Sequence, residues 1–300
     1  MSGAAEPANA RLAGFALALA GAAAFSGKAI IVKLSYRHGV DAVTVIMLRM
    51  AFALPLFLAL AWWGGRGRGP LPGRDRVAVV ALGFCGYYLA SFLDFLGLQY
   101  ITASLERLIV YLNPTVVLLL GWLLLKRRPS RRQVLALALS YAGVALVFGQ
   151  ETAAQGPEVL LGSVLVLASV FSYALYLLYS GEVVRRVGAL RLTGLATSVA
   201  CGLCILQFLL LRPPQAALQV PEPVLWLAAL NALACTFAPV VLIMLAIERI
   251  GSVATAQAGM IGPLSTVALG VWLLGEPFTL WLVAGTVLVL GGIGWLARAR

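Results

Sequence analysis

The sequence predicts an all-α integral membrane protein in which ten transmembrane helices form two inverted five-helix repeats around a central cavity. Three observations lead there. The 300 residues are 62% hydrophobic and only 11% charged, with a mean hydropathy of +0.97, whereas about a quarter of the residues in a soluble domain are charged. Ten apolar segments stand between short polar loops, most of them near the ~20 helical residues that cross a hydrocarbon core of about 30 Å. The chain also matches itself when shifted by 149 residues.

Taken in order, the segments are 12–34, 42–63, 77–99, 104–125, 133–149, 159–180, 192–211, 224–247, 253–274 and 279–297. The N-terminus has no basic stretch followed by a short apolar core and a cleavage site, so the first segment is expected to remain as a span. Alternate loops collect the basic residues: Arg11; Arg66, Arg68, Arg74 and Arg76; Lys126, Arg127, Arg128, Arg131 and Arg132; Arg185, Arg186 and Arg191; Arg249; Arg298 and Arg300. That is 16 of the 22 lysines and arginines. Short-loop Lys and Arg stay on the cytoplasmic side, so both termini are expected there, in a cell inner (plasma) membrane. The net charge of +11 is therefore read as orientation charge; no RNA- or DNA-binding motif accompanies it, and no nucleic-acid partner is expected. Membrane lipid and a small-molecule substrate are the expected partners of a monomer.

The self-match places Pro114, Leu120, Gly121, Leu124, Leu125, Leu139 and Gly143 on Pro263, Leu269, Gly270, Leu273, Leu274, Leu288 and Gly292, and Gly39 on Gly188. It divides the chain into repeats of 1–149 and 150–300. Five spans per repeat is an odd number, so the second half must enter the membrane upside down. The charges agree: Lys126, Arg127 and Arg128 meet Gly275, Glu276 and Pro277. Inverted repeats place a binding site between the halves and permit one to rock against the other.

The stretches GFALALAGAAAFSGKAIIVK, LGLQYITASLERLIVYLNPTVVLLLGWLLLKRRPSRRQVLALALSYAGVALV and AIERIGSVATAQAGMIGPLSTVALGVWLLGEPFTLWLVAGTVLVLGGIG resemble paired EamA domains of ten-helix exporters in the drug/metabolite transporter superfamily. The likeness spans nearly the whole chain, and its most specific part is N-P or G-P followed by G-x-x-L-L-x-E/K. The second half keeps Gly275-Glu276, whereas the first departs with Lys126-Arg127. Length and aromatic content resemble the amino-acid and metabolite exporters, the aromatic amino-acid branch included. The resemblance implies export of amino acids or related small metabolites by alternating access.

Polar residues inside the spans are the candidate site. Tyr87, Ser91 and Asp94 recur at i, i+4 and i+7, which predicts one helix face. Arg107, Tyr111 and Pro114 repeat that spacing, with Asn113 nearby. The sixth span offers Ser172, Tyr173 and Tyr176, and the eighth and ninth Phe237 and Gln257. A cavity of tyrosines and hydroxyls suits an amphipathic small molecule, although the same side chains also tie membrane helices together. Charges at membrane depth are rare and face protein or water; here they are Lys28, Arg49, Asp94, Glu106 and Arg107. They are read either as partners for a zwitterionic substrate, as a coupling site in Asp94 or Glu106, or as a static Asp94–Arg107 pair with Lys28 and Arg49 snorkelling. Pro114 and Pro263 are predicted kinks within helices.

Neither catalysis nor a cofactor is expected. The one histidine, His38, lies in a loop, Cys85, Cys201, Cys204 and Cys235 lie in apolar spans, no metal set is spaced for ligation, and no G-x-x-x-x-G-K-[ST] loop is present for ATP. The alternatives are an exporter of cationic drugs, a lipid-acting membrane enzyme, and a channel or scramblase.

Overall fold

A computed structural model describes residues 8–126, 130–259 and 262–298. Every regular element among them is helical. The first repeat contains α1 (Ala8–Tyr36), α2 (Ala42–Gly65), α3 (Gly73–Gly83), α4 (Ala90–Gly97), α5 (Ala103–Val110), α6 (Asn113–Leu125) and α7 (Arg131–Gln155). The second contains α8 (Glu158–Val187), α9 (Ala189–Leu211), the short α10 (Gln215–Leu218), α11 (Glu222–Ala232), α12 (Ala238–Gly259), α13 (Gly262–Leu269) and α14 (Leu280–Arg298). Among the described residues, eight helical stretches are long and apolar enough to cross a membrane, and two shorter apolar ones, Gly262–Leu274 and Leu280–Trp295, stand where the ninth and tenth spans were expected.

Capping residues set several boundaries. Asp41 caps α2 by accepting from the Val43 and Thr44 amides, Thr102 caps α5 through Leu105, and Ser130 forms a reciprocal capping box with Gln133 on α7. The boundary between the eighth and ninth spans differs from expectation. The predicted turn at 248–252 is helical, and α12 continues through Arg249 and Ile250 to Gly259. Ile250 there packs against Gly14 of α1, so the segment is held as helix by a neighbour that the sequence does not announce.

The π-helical turns were not legible in the sequence. One, Phe84–Leu89, joins α3 to α4, and another, Leu233–Phe237, joins α11 to α12. They begin 149 residues apart, at the same place in each repeat. A third lies at Gly270–Leu274 after α13.

Close approaches at small residues show how the spans pair. Gly64 of α2 abuts Leu190 and Arg191 at the start of α9, while Gly194 abuts Ala61; Gly143 of α7 faces Gly285 of α14, and Gly292 faces Ala136. Tyr111 reaches Gly262, and Ser104 lies by Gly270. In each case the two spans are repeat mates that run antiparallel, the relation that inversion of the halves requires. The remaining pairs exchange with each other: α1 runs against α11–α12, with Gly27 at Cys235 and Gly21 at Ile243, and the α3–α4 span runs against α8, with Gly97 at Gly162. Small residues let backbones approach where lipid removes any hydrophobic drive between helices. Large side chains such as Phe57, Phe95 and Phe208 fill the interior between them.

Candidate functional site

A charged cluster lies between α1, α4 and α5. Lys28 Nζ donates to Asp94 Oδ2 at 2.5 Å and to Glu106 Oε1 at 3.0 Å. The lysine side chain is 17% exposed, Asp94 5% and Glu106 0%. The second carboxylate oxygens, Asp94 Oδ1 and Glu106 Oε2, have no hydrogen-bond partner. Lys28 is eight residues from the end of α1, or about 12 Å along the axis at 1.5 Å per residue.

The expected Asp94–Arg107 pair is therefore corrected: the cation on Asp94 is Lys28. Arg107 is buried and donates through Nε to Thr266 Oγ1 at 2.8 Å and through its terminal nitrogen to the Phe25 carbonyl at 2.7 Å. Both acceptors are neutral, so Arg107 fastens α5 to α13 and α1 across the two halves. Its guanidinium carbon also lies 6.0 Å from the Tyr111 ring centroid.

Nor does Lys28 or Arg49 snorkel. Arg49, on α2, is 4% exposed, stacks 4.6 Å from the Phe95 ring centroid and donates to Ser91 Oγ at 3.2 Å. Its Nε is unpartnered, and among the described residues no carboxylate pairs with it. Its depth, eight residues into a 24-residue helix, leaves the side chain too far from either end to reach an interface.

The shared face of Tyr87, Ser91 and Asp94 is also corrected. Tyr87 meets Tyr176 of α8, with hydroxyls 3.2 Å apart; Ser91 meets Arg49 of α2, and Asp94 meets Lys28 of α1. The π turn at Phe84–Leu89 inserts an extra residue per turn and rotates the tyrosine away from the two residues that follow. Tyr87, Tyr176 and Tyr173 form their own aromatic group, with centroids 5.1 and 5.5 Å apart. Ser172 beside them donates to the Cys85 carbonyl at 2.7 Å. Phe237 packs edge-on against Phe57, Asn113 is in the first turn of α6 with its Oδ1 unpartnered, and the Gln257 side chain lies outside the described residues.

Pro114 sits differently from expectation too. Helix is interrupted at Tyr111–Leu112, and Pro114 is in the first turn of the new helix α6. A first-turn proline loses no intrahelical bond, so Pro114 starts a helix rather than bending one. Pro263 is in α13 (Gly262–Leu269), and the residues just before it, on which the expected kink depends, lie outside the described residues.

A cavity of about 250 Å³ opens at the end of the bundle away from the arginine-rich loops. Beside Ser104, which the fourth-span pattern already offered, sequence reasoning missed its polar lining: Thr102, Gln150, Glu151, Gln155 and Glu276. Glu276 crosses from the second half to accept from the Ala103 amide at 2.7 Å, the Ser104 amide at 3.2 Å and Ser104 Oγ at 2.6 Å. Thr102 donates its hydroxyl to Glu151. Arg37 donates to the Leu274 carbonyl close by. The signal for Glu276 was present in the repeated motif, where its counterpart is Arg127.

Residues 12–149 and 160–298 each match the EamA-like transporter family. An uncharacterized transporter of Bacillus subtilis strain 168, YcbK, is 30% identical over 280 residues, covering 91% of this chain and 89% of that protein. An uncharacterized transporter of Archaeoglobus fulgidus is 24% identical over 92% of this chain and 94% of its own. A solved crystal structure superposes with a TM-score of 0.64 at 19% identity, covering 98% of this chain and 99% of that one, and speaks to the fold alone.

Proposed function

The chain belongs to the EamA-like transporter family, and from that premise we propose that it exports amino acids or related small zwitterionic metabolites across the inner (plasma) membrane by alternating access. In this reading residues 1–149 and 150–300 are the halves that rock, and the arginine-rich end with both termini is cytoplasmic. The observation that carries it is a separation of unmet charge around α4. Asp94 and Glu106 present unpartnered carboxylate oxygens, while the buried Arg49 guanidinium, beside Ser91 and Phe95, has an unpartnered Nε. Buried ionic groups left incompletely paired are costly, and a ligand bearing both an ammonium and a carboxylate relieves both ends. Phe95, Phe237 and the group of Tyr87, Tyr173 and Tyr176 supply apolar area for its side chain.

The chain reconstituted in proteoliposomes and loaded with each of the twenty amino acids in turn, with and without a pH gradient, tests this. Saturable counterflow of a subset is the expected result. No counterflow with any amino acid refutes the reading. The unpartnered acidic oxygens and the three clustered tyrosines favour one second reading, export of organic cations; dyes that are carried while amino acids fail to compete would select it.

A further inference from the structure

Asp94 and Glu106 come from different helices and converge on one ammonium. Lys28 Nζ touches one oxygen of each, at 2.5 and 3.0 Å, so those two oxygens are at most about 5.5 Å apart by adding the contacts. The other oxygen of each carboxyl is buried and accepts from nothing. One positive charge is thus served by two carboxyl groups, more oxygen than a salt bridge uses. The other charged groups nearby are engaged elsewhere. Arg107 on α5 bonds Thr266 of α13 and the Phe25 carbonyl, Arg49 on α2 bonds Ser91, and the Tyr36 hydroxyl of α1 donates to the Phe95 carbonyl. Lys28 reaches the pair on a flexible stem from a third helix.

We infer that Asp94 and Glu106 form a monovalent-cation site which Lys28 fills with its own ammonium, a tethered cation that lets the carrier close without taking a proton or sodium ion from solution. Two buried carboxylates with no cation between them are strongly unfavourable at membrane depth. A carrier that must pass through an occluded state with such a pair therefore needs a cation bound each time, unless the chain supplies one. The inference rests on the transport reading only for this consequence; the binding site itself stands or falls separately.

The test uses the purified full-length chain in detergent. Thermal unfolding is followed in sodium chloride, methylammonium chloride and choline chloride at equal ionic strength, and across a pH series. Wild-type Tm is expected to be the same in all three salts. Lys28→Ala is expected to have a lowered Tm that sodium or methylammonium raises and choline does not, the shift growing with the logarithm of cation concentration as linkage requires. A shift seen only on lowering pH would identify the filling cation as a proton. Lys28→Ala/Glu106→Gln, with one acidic group left, is expected to lose most of the response, and if the single variant is extracted unfolded in choline it is expected to be recovered folded when sodium or methylammonium is present throughout, or at low pH. A Lys28→Ala chain that is folded but indifferent to cations and pH, or that neither cation nor low pH recovers, overturns the inference, as does a double variant that responds as strongly as the single one, or a wild-type chain that responds as the variant does. A cation-dependent Tm together with absent counterflow would refute the transport reading and leave the site intact.

Discussion

At the residue scale, Lys126 stands where the second repeat has a glycine, and the backbone shows the consequence. Lys126 has φ 55°, and it closes α6 by donating to the Gly121 carbonyl. Its mate Gly275 has φ 70° and donates to the Gly270 carbonyl in the same way. A left-handed residue with a Cβ is disfavoured by about 1 kcal/mol or more. Lys126→Gly is therefore expected to stabilise the protein by about 1 kcal/mol, less the entropy that glycine adds to the unfolded chain, read as a raised Tm in detergent; a lowered Tm would mean that the lysine side chain makes a contact worth more than the strain. Arg49 calls for a different experiment. A buried guanidinium without a counter-ion contributes little to folding and is often replaceable by an apolar side chain. Arg49→Met is expected to keep or raise Tm while counterflow of carboxylate-bearing substrates falls about tenfold or more, about 1.4 kcal/mol of lost binding. A fall in Tm with unchanged counterflow would assign Arg49 to structure.

At the scale of elements, α7 and α14 cross where Gly143 and Gly285 meet. A Cβ added to Gly143 would lie 2.6 Å from the Gly285 carbonyl oxygen and 2.9 Å from Leu288 Cβ. Gly143→Val is expected to destabilise by about 1–3 kcal/mol through overpacking, whereas Gly149→Val on the same helix, where nothing lies within reach, is expected to leave Tm nearly unchanged. The start of α2 gives a pH dependence. Burial would raise the Asp41 carboxyl, but hydrogen bonds from the Thr44 hydroxyl and the Arg212 guanidinium outweigh it and hold the group below its ordinary 3.8. A depressed value stabilises the fold above the ordinary value and ceases to do so as pH falls through the lower one, so the protection of the Val43 and Thr44 amides from hydrogen exchange, relative to the intrinsic rate at each pH, is expected to fall in acid below about pH 4; constant protection across that range would remove Asp41 as a cap.

The same elements show what was legible in the sequence. The spans and their repeat were readable because lipid demands long apolar segments and because Pro114/Pro263 and Gly143/Gly292 recur at one offset. The partners of the charges were not. Lys28, Asp94, Arg49 and Arg107 lie at similar depth, and which of them touch depends on rotation about each helix axis. A π turn at Phe84–Leu89 alters that rotation without any residue type that announces it. Glu276 and Thr266 were passed over for a similar reason, since each acts on the opposite half of the chain.

For the whole molecule, pseudo-symmetry sharpens the meaning of what is not symmetric. The contacts Gly64–Leu190, Gly143–Gly285 and Ser104–Gly270 join repeat mates and belong to both halves alike. Glu276 is different: it caps the N-terminus of α5 from the other half, and its mate is Arg127, whose charge has the wrong sign to accept from a helix N-terminus. The end of the bundle with the cavity is thus fastened by a carboxylate whose repeat mate, by sequence, is an arginine. If that contact keeps this end closed, weakening it opens the cavity. Val147 lines the cavity and is 1% exposed, so a cysteine there reports access once Cys85, Cys201, Cys204 and Cys235 are replaced by alanine. In that background Val147→Cys is expected to react slowly with a membrane-impermeant maleimide, and adding Glu276→Gln is expected to speed the reaction severalfold at a stability cost of about 0.5–2 kcal/mol, the range for loss of a helix cap. An unchanged labelling rate in a variant that has lost that stability would show the contact to be a cap for α5 and nothing more.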